Sequence, residues 1–301
     1  MLNPILAFSA TRRMRSFKTM LVVIAYVAAL LLLALIVLSP LLSDRVFLSS
    51  MSRSPFTYLM LIGVQFGLII LIAPAMTFGA IAGERERQTL DLLLVTNTGS
   101  FRIVIGKTLE SFAVIALLIV SGLPVMSLCL LTGGVTAGQM LVGTLFLLTV
   151  AFACVSVGVF CSSLFRSTVL SAVMSYLIIL AIGLVTALPF LCGYPQKITD
   201  VLYDRAQYAA LTAGEARAMI SPLLYLNPGF GVLALVEGQL HAFDSRAYNL
   251  GWGRIYATWL MGDRAGWIFT AMTCAAGMIL ISLALLGLAA LLIRRKPKRK
   301  G

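Results

Sequence analysis

Charge is scarce in this chain of 301 residues. Only 11% are Asp, Glu, Lys or Arg, against roughly 25% in a soluble domain. Hydrophobic residues make up 60%, and the mean hydropathy is +1.00. So few charges cannot cover so much apolar surface. That excludes an ordinary soluble domain and points to an integral membrane protein. Histidine is almost absent: His241 is the only one. A Ser–His or metal–histidine enzyme would have to rest on that single residue, which argues against both. The five cysteines, Cys129, Cys154, Cys161, Cys192 and Cys274, form no pair at short metal-ligand spacing. Cys154 and Cys161, seven apart, share a helix face and read as packing residues. A phosphate loop lacks its parts as well. Ile105-Gly106-Lys107-Thr108 matches the end of one, but Phe101 stands where the earlier glycine belongs, and no strand precedes it. This chain is expected to hold no cofactor and no metal, and to bind no nucleotide itself.

What the sequence has in plenty is long apolar runs. Crossing a hydrocarbon layer of ~30 Å takes about 20 residues. Six runs meet that length, at 21–42, 57–82, 104–132, 137–165, 168–193 and 267–293. The first is too long, and lacks the small-residue cleavage site, for a removable signal peptide. The expected fold class is an all-α integral membrane protein with six transmembrane helices. An N-terminal interfacial helix over 1–20 and a helical external loop over 194–266 complete it. The segment 222–240 is apolar enough for a seventh span. Asn227-Pro228-Gly229 would then lie deep in lipid, so it reads as a broken element, re-entrant or surface-lying, packed against protein.

Net charge is +12, which suits nucleic acid as well as anionic lipid, so its distribution decides. With six spans, 15 of the 23 Lys and Arg fall on the side of both termini and 8 on the other. Six of those eight lie in the one long loop, which counts weakly. The asymmetry places both termini in the cytoplasm and excludes nucleic acid as the partner. Trp252, Trp259 and Trp267 suit an outer interfacial belt. Ionisable groups are nearly missing from the span interiors. Glu110 is the nearest approach, and Lys107 one turn away is its natural partner. Proton- or ion-driven carriers place carboxylates near mid-membrane. Their absence implies an energy source elsewhere.

Between the second and third runs stands the densest cluster of charge, Gly83-Glu84-Arg85-Glu86-Arg87-Gln88-Thr89-Leu90-Asp91-Leu92-Leu93-Leu94. Opposite charges recur at helical spacing, with Leu90, Leu93 and Leu94 grouped on one side. That composition suits docking onto a soluble partner. It equally suits a solvated turn whose charges fix topology. The 1–20 segment alternates Ile5, Leu6, Phe8, Met14 and Phe17 with Arg12, Arg13, Arg15 and Lys18 after Asn3-Pro4. It reads as an amphipathic helix in the membrane surface or as a topogenic charge cluster. Two glycine pairs, Gly63/Gly67 and Gly79/Gly83, have the spacing of close helix packing and point to different faces.

Together these parts resemble the permease subunit of the ABC-2 class of ATP-binding-cassette transporters. The parts are the basic start after Asn3-Pro4, the Pro74–Gly83 end of the second run, the stretch from Glu84 to Leu93, and Gly106-Lys107 opening the third. The resemblance covers nearly the whole chain. It implies a coupling region over 84–101, with a cytoplasmic coupling helix over 84–94, that docks on a separate ATPase. Glu84, Arg85, Glu86, Arg87, Thr89, Leu90, Leu93 and Leu94 would make the contact, flanked by the interfacial helix. Many relatives have Gly where this chain has Gln88, a change expected to favour helix there. The resemblance further implies a bacterial cell membrane, a second permease chain, alike or different, and ATP with Mg on the ATPase. The expected function is ATP-driven export by a non-catalytic subunit. A scaffold that uses the same machinery without moving a solute is the alternative. A membrane-embedded enzyme is disfavoured by the missing catalytic groups.

Overall fold

The structure, a computed structural model, describes residues 17–38, 54–89, 100–131, 135–192, 226–232 with 235, and 266–293. In chain order the helices are α1 (Phe17–Leu38), α2 (Ser54–Thr77), α3 (Ala82–Glu86), α4 (Ser100–Ser121), α5 (Leu123–Leu131), α6 (Ala137–Leu164), α7 (Thr168–Cys192) and α8 (Gly266–Ile293). Among the described residues there is no strand, and six helical segments are long and apolar enough to cross a membrane. The chain is an all-α multi-pass membrane protein.

The helix ends follow local chemistry. α6 opens on a capping box. The Thr136 hydroxyl accepts from the Gln139 N–H at 3.3 Å, and the Gln139 side chain accepts from the Thr136 N–H at 2.8 Å. α6, α7 and α8 lie within a residue of the apolar runs. The first three runs end differently from the sequence reading. Phe17 to Met20 already belong to α1, because no Pro or Gly interrupts the approach to the apolar run. Arg12, Arg13 and Arg15 fall outside the described residues, as does the side chain of Lys18. The second run reads as one span to residue 82, yet its helix stops at Thr77. Pro74 has no N–H to give, and the Thr77 hydroxyl donates back to the Ala73 carbonyl at 2.9 Å. Residues 78–81 form a turn before α3. The third run's helix starts early, at Ser100, so residues 100 and 101 of the expected coupling region are already helical and continuous with the span. It also breaks at Gly122, two residues before Pro124. There the Gly122 N–H is shared between the Leu118 and Ile119 carbonyls at 3.2 Å each, and the buried Gln65 amide reaches the Ile119 carbonyl at 3.4 Å.

α6 is the hub, packed against α8, α2, α7 and α4, while α1 lies outside against α2, α4 and α5. Leu30, Leu61, Ile62, Ile115, Ile119 and Leu147 are fully buried between them, and Phe112 meets Phe152 edge-on at 5.7 Å. Lipid tails are as apolar as these side chains, so burial away from water contributes little between spans. Fit and interhelical hydrogen bonds hold the bundle. The fit does not come from the glycine pairs singled out in the sequence. Among the described residues, a side chain on Gly63, Gly67 or Gly79 would meet nothing within 4 Å, and one on Gly83 would meet the Thr168 methyl at 3.8 Å. Two close approaches to α2 are on α6. A methyl on Gly158 would overlap the Thr77 hydroxyl, and one on Gly143 would overlap the Tyr58 hydroxyl and touch Ile62 at 3.0 Å. Spacing alone is a weak signal because it says nothing of what stands opposite.

Residues 226–232 and Leu235 bear on one reading left open above. Asn227 caps a helical turn, its side-chain oxygen accepting from the N–H groups of Gly229 at 2.8 Å and Phe230 at 3.3 Å, with Pro228 in the first position. The Asn227 amide donates to the Gly183 carbonyl of α7 at 3.2 Å. Gly231 is pressed against Phe146 of α6 and Cys274 of α8, and Phe230, Val232 and Leu235 are buried. Phe146 lies about 14 Å along α6 from its start at 1.5 Å per residue. This part of the segment is inserted among the spans and is not surface-lying. Elsewhere Leu32, Ile36, Leu71, Val169, Leu180, Leu280 and Leu291 are exposed, as a surface solvated by lipid requires.

Gly158→Ala is expected to destabilise the detergent-solubilised protein by about 1–3 kcal/mol, read as a lower melting temperature. Thr77→Ala should rescue only part of the loss, since the Thr77 Cβ also stands 2.8 Å from the added carbon. Gly63→Ala and Gly67→Ala should not lower it.

Candidate coupling site

The charged cluster after α2 lies where three helices end and a fourth passes. α3 supplies the charges; it is only five residues long. Its own N-cap residue, Ile81, has no side chain to offer its first N–H groups. Ser162, in the last turn of α6, does so instead. The Ser162 Oγ accepts from the Ile81 and Ala82 N–H groups at 2.9 Å each, in a buried position. The favour is returned across the same gap. Arg85 donates through Nη1 to the Phe165 carbonyl and through Nη2 to the Ser163 carbonyl, both at 3.2 Å. These are end carbonyls of α6, where a cation suits both the unpaired oxygens and the helix dipole.

Glu86 does the converse for α7. One oxygen accepts the Thr168 N–H at 2.7 Å, and both accept the Thr168 hydroxyl at 3.1 Å. A carboxylate thus closes the positive end of one span, and a guanidinium the negative end of the span before it. Glu84 ties in α4. It accepts from Lys107 Nζ at 3.1 Å, and Lys107 also stands 4.0 Å from Glu110. The expected Lys107–Glu110 pair is present, but Glu84 is the closer partner. Lys107 sits well inside α4, whose backbone N–H groups point along the helix rather than into a phosphate cradle.

α3 ends abruptly, contrary to the expectation of a helix over 84–94. The Thr89 N–H donates to the Glu84 carbonyl at 2.9 Å and the Gln88 N–H to the Arg85 carbonyl at 3.1 Å. This pair of bonds is the Schellman closure of a helix, with Gln88 in the left-handed position at φ 59°. Gln88 therefore stops the helix where its propensity was expected to favour one. A helix-propensity argument compares residues inside a helix, and this position is one past the end. The Thr89 hydroxyl adds a 2.5 Å bond to the Glu84 carboxylate and a 3.1 Å bond to its carbonyl. Of the residues assigned to coupling, Glu84, Arg85, Glu86 and Thr89 are thus brought together and bonded within the chain. Arg87 is the C-cap and is exposed. Leu90, Leu93 and Leu94 lie outside the described residues. Sequence reasoning missed Ser162, Lys107's attachment to Glu84, and Thr168. A Ser and a Thr at facing helix ends were the available signals.

Gln88→Gly is expected to stabilise the protein by about 1 kcal/mol, because glycine carries no left-handed penalty. Ser162→Ala leaves two buried N–H groups without their acceptor. It should cost about 2–3 kcal/mol and expose the 78–89 segment to limited proteolysis.

A comparison with curated proteins gives no match. A scan against family models matches residues 5–295 to one described as ABC-2 family transporter protein. The matched region contains every described helix. The chain therefore belongs to the ABC-2 transporter family, as a membrane component of an ABC transporter.

Proposed function

We propose that this chain is the permease subunit of an ATP-driven exporter of the bacterial inner membrane. Both termini and the 84–101 region face the cytoplasm. The elbow formed by 78–89 is the part through which a separate ATPase moves the bundle. The observation that carries this reading is the attachment of α3 to three other helices at once. Arg85 and Ser162 bind it to α6, Glu86 to α7 and Glu84 to α4. A push on the chain just after Thr89 is transmitted to all three spans and, through the covalent link, to α2.

This divides the labour within the charged cluster. Glu84, Arg85 and Glu86 hold the elbow to the bundle. Arg87 and the leucines beyond it, Leu90, Leu93 and Leu94, face the ATPase. Exposed charge pairs contribute about 0–1 kcal/mol each, whereas a well-buried leucine contributes on the order of 1–2 kcal/mol. The leucines therefore carry most of the affinity. ATP and Mg bind the partner subunit. A second permease chain completes the pathway.

Two classes of variant separate holding from docking. Leu93→Asp should abolish copurification of the ATPase in mild detergent. Glu86→Ala with Arg85→Met should keep copurification but reduce stimulated ATP hydrolysis in nanodiscs severalfold. Normal ATPase binding and stimulation in Leu93→Asp would remove the docking role. Stimulation intact in the double variant would remove the transmission role. Cysteines at positions 13, 98 and 301 should resist impermeant labelling in whole cells, and one at 213 should react. External labelling at 301 would reverse the orientation.

A further inference from the structure

The ends of α6 and α8 and the α6–α7 turn border a cleft of about 500 Å³, lined by Arg85, Ser163, Leu164, Arg166 and Leu292. Two guanidinium groups line it and, among the described residues, no carboxylate does. Arg85 uses one N–H of each terminal nitrogen on α6 carbonyls, which leaves three of its five N–H groups. Arg166 is exposed, and among the described residues no carboxylate pairs with it. Of the nearby carboxylates, Glu84 is paired with Lys107, and Glu86 is turned to the Thr168 N–H and hydroxyl and does not line the cleft. The lining itself therefore carries two positive charges and no negative one among the described residues. Phosphate oxygens match guanidinium donors in geometry and charge.

Its other wall points to the source of that phosphate. Leu164 and Leu292 are exposed beside the arginines. From Leu292 an exposed apolar stripe runs down one face of α8 through Leu288 to Ile281. At 1.5 Å per residue it extends about 16 Å, close to the ~15 Å depth of one leaflet. A free phosphate has no use for such a stripe, and an acyl chain does. In the sequence, Ile293 is followed by Arg294, Arg295 and Lys296.

We propose that the Arg85–Arg166 cleft is a binding site for an anionic phospholipid, with its phosphate between the two guanidinium groups and an acyl chain along Leu292, Leu288 and Ile281. Basic pockets between spans are suited to such headgroups. The site places the lipid phosphate in contact with Arg85, which caps α6, so bound lipid stabilises the elbow. The inference needs only that the chain spans a bilayer, and it holds for either orientation. Its failure would leave the coupling reading untouched.

The test is binding of phosphatidylglycerol to the purified full chain in detergent, by native mass spectrometry and by thermal shift. Phosphatidylcholine and inorganic phosphate are the comparison ligands. Phosphatidylglycerol should bind and raise the melting temperature, and the other two should not. Arg166→Gln removes an exposed charge and should fold normally; it should weaken phosphatidylglycerol binding about fivefold. Arg102→Gln removes an exposed charge from the start of α4, outside the cleft, and should leave binding unchanged. Equal losses in both variants would mean diffuse surface attraction and overturn the site. Equal stabilisation by inorganic phosphate would overturn the lipid. Unchanged binding in Arg166→Gln would overturn both.

Discussion

A span that ends at the membrane surface leaves unpaired N–H groups at one end and unpaired carbonyls at the other. Where such ends are buried against protein, water cannot satisfy them and neighbouring chain must. The turn between α6 and α7 meets this constraint through α3. Ser162 serves the α3 N-terminus, Arg85 the α6 C-terminus and Glu86 the α7 N-terminus. None of the three helix ends is closed by its own sequence neighbours alone. Removing Ser162 or Arg85 therefore leaves two backbone groups without that partner, and removing Glu86 leaves one. The geometry of the charged cluster, the position of α4 through Lys107, and the cleft beside Arg166 all follow from it.

The same arrangement changes what a dense charge cluster means. Alternating Glu and Arg at the edge of a membrane invites the idea of a docking surface for another protein. In this chain three of those charges are spent inside. Of the four charges from Glu84 to Arg87, only Arg87 is left exposed with no side-chain hydrogen bond or ion pair among the described residues, beside the Schellman closure at Gln88. The left-handed Gln88 marks a helix stop, a position that glycine occupies without penalty.

Much of the architecture was legible in the amino-acid order. α6, α7 and α8 are bounded by polar or charged residues that interrupt apolar runs, and hydropathy sees such boundaries. It does not see Thr77 or Gly122, where the backbone turns while the side chains stay apolar. The insertion at Asn227-Pro228-Gly229 was legible as a break but not as a buried cap, because its partners, Gly183, Phe146 and Cys274, come from three other helices. The site divides in the same way. Its charges were evident, and their partners were not, since Glu86 finds Thr168 across 82 positions and Arg85 finds Phe165 across 80. Periodicity within one helix carries no information about which helix end lies opposite.

The two glycines of α6 have a mechanical meaning. α2 and α6 run in the same direction and touch most closely at Tyr58 with Gly143 and at Thr77 with Gly158. These points are about 22 Å apart along α6. A rod fixed at one point can pivot, and a rod fixed at two cannot. Sliding is blocked as well, because each glycine admits one side chain and its neighbours do not. α2 and α6 therefore behave as a single beam, to which the elbow is attached at one end. The other helices hang on that beam, and α1 and α7 are held to it more loosely, with outer faces exposed among the described residues.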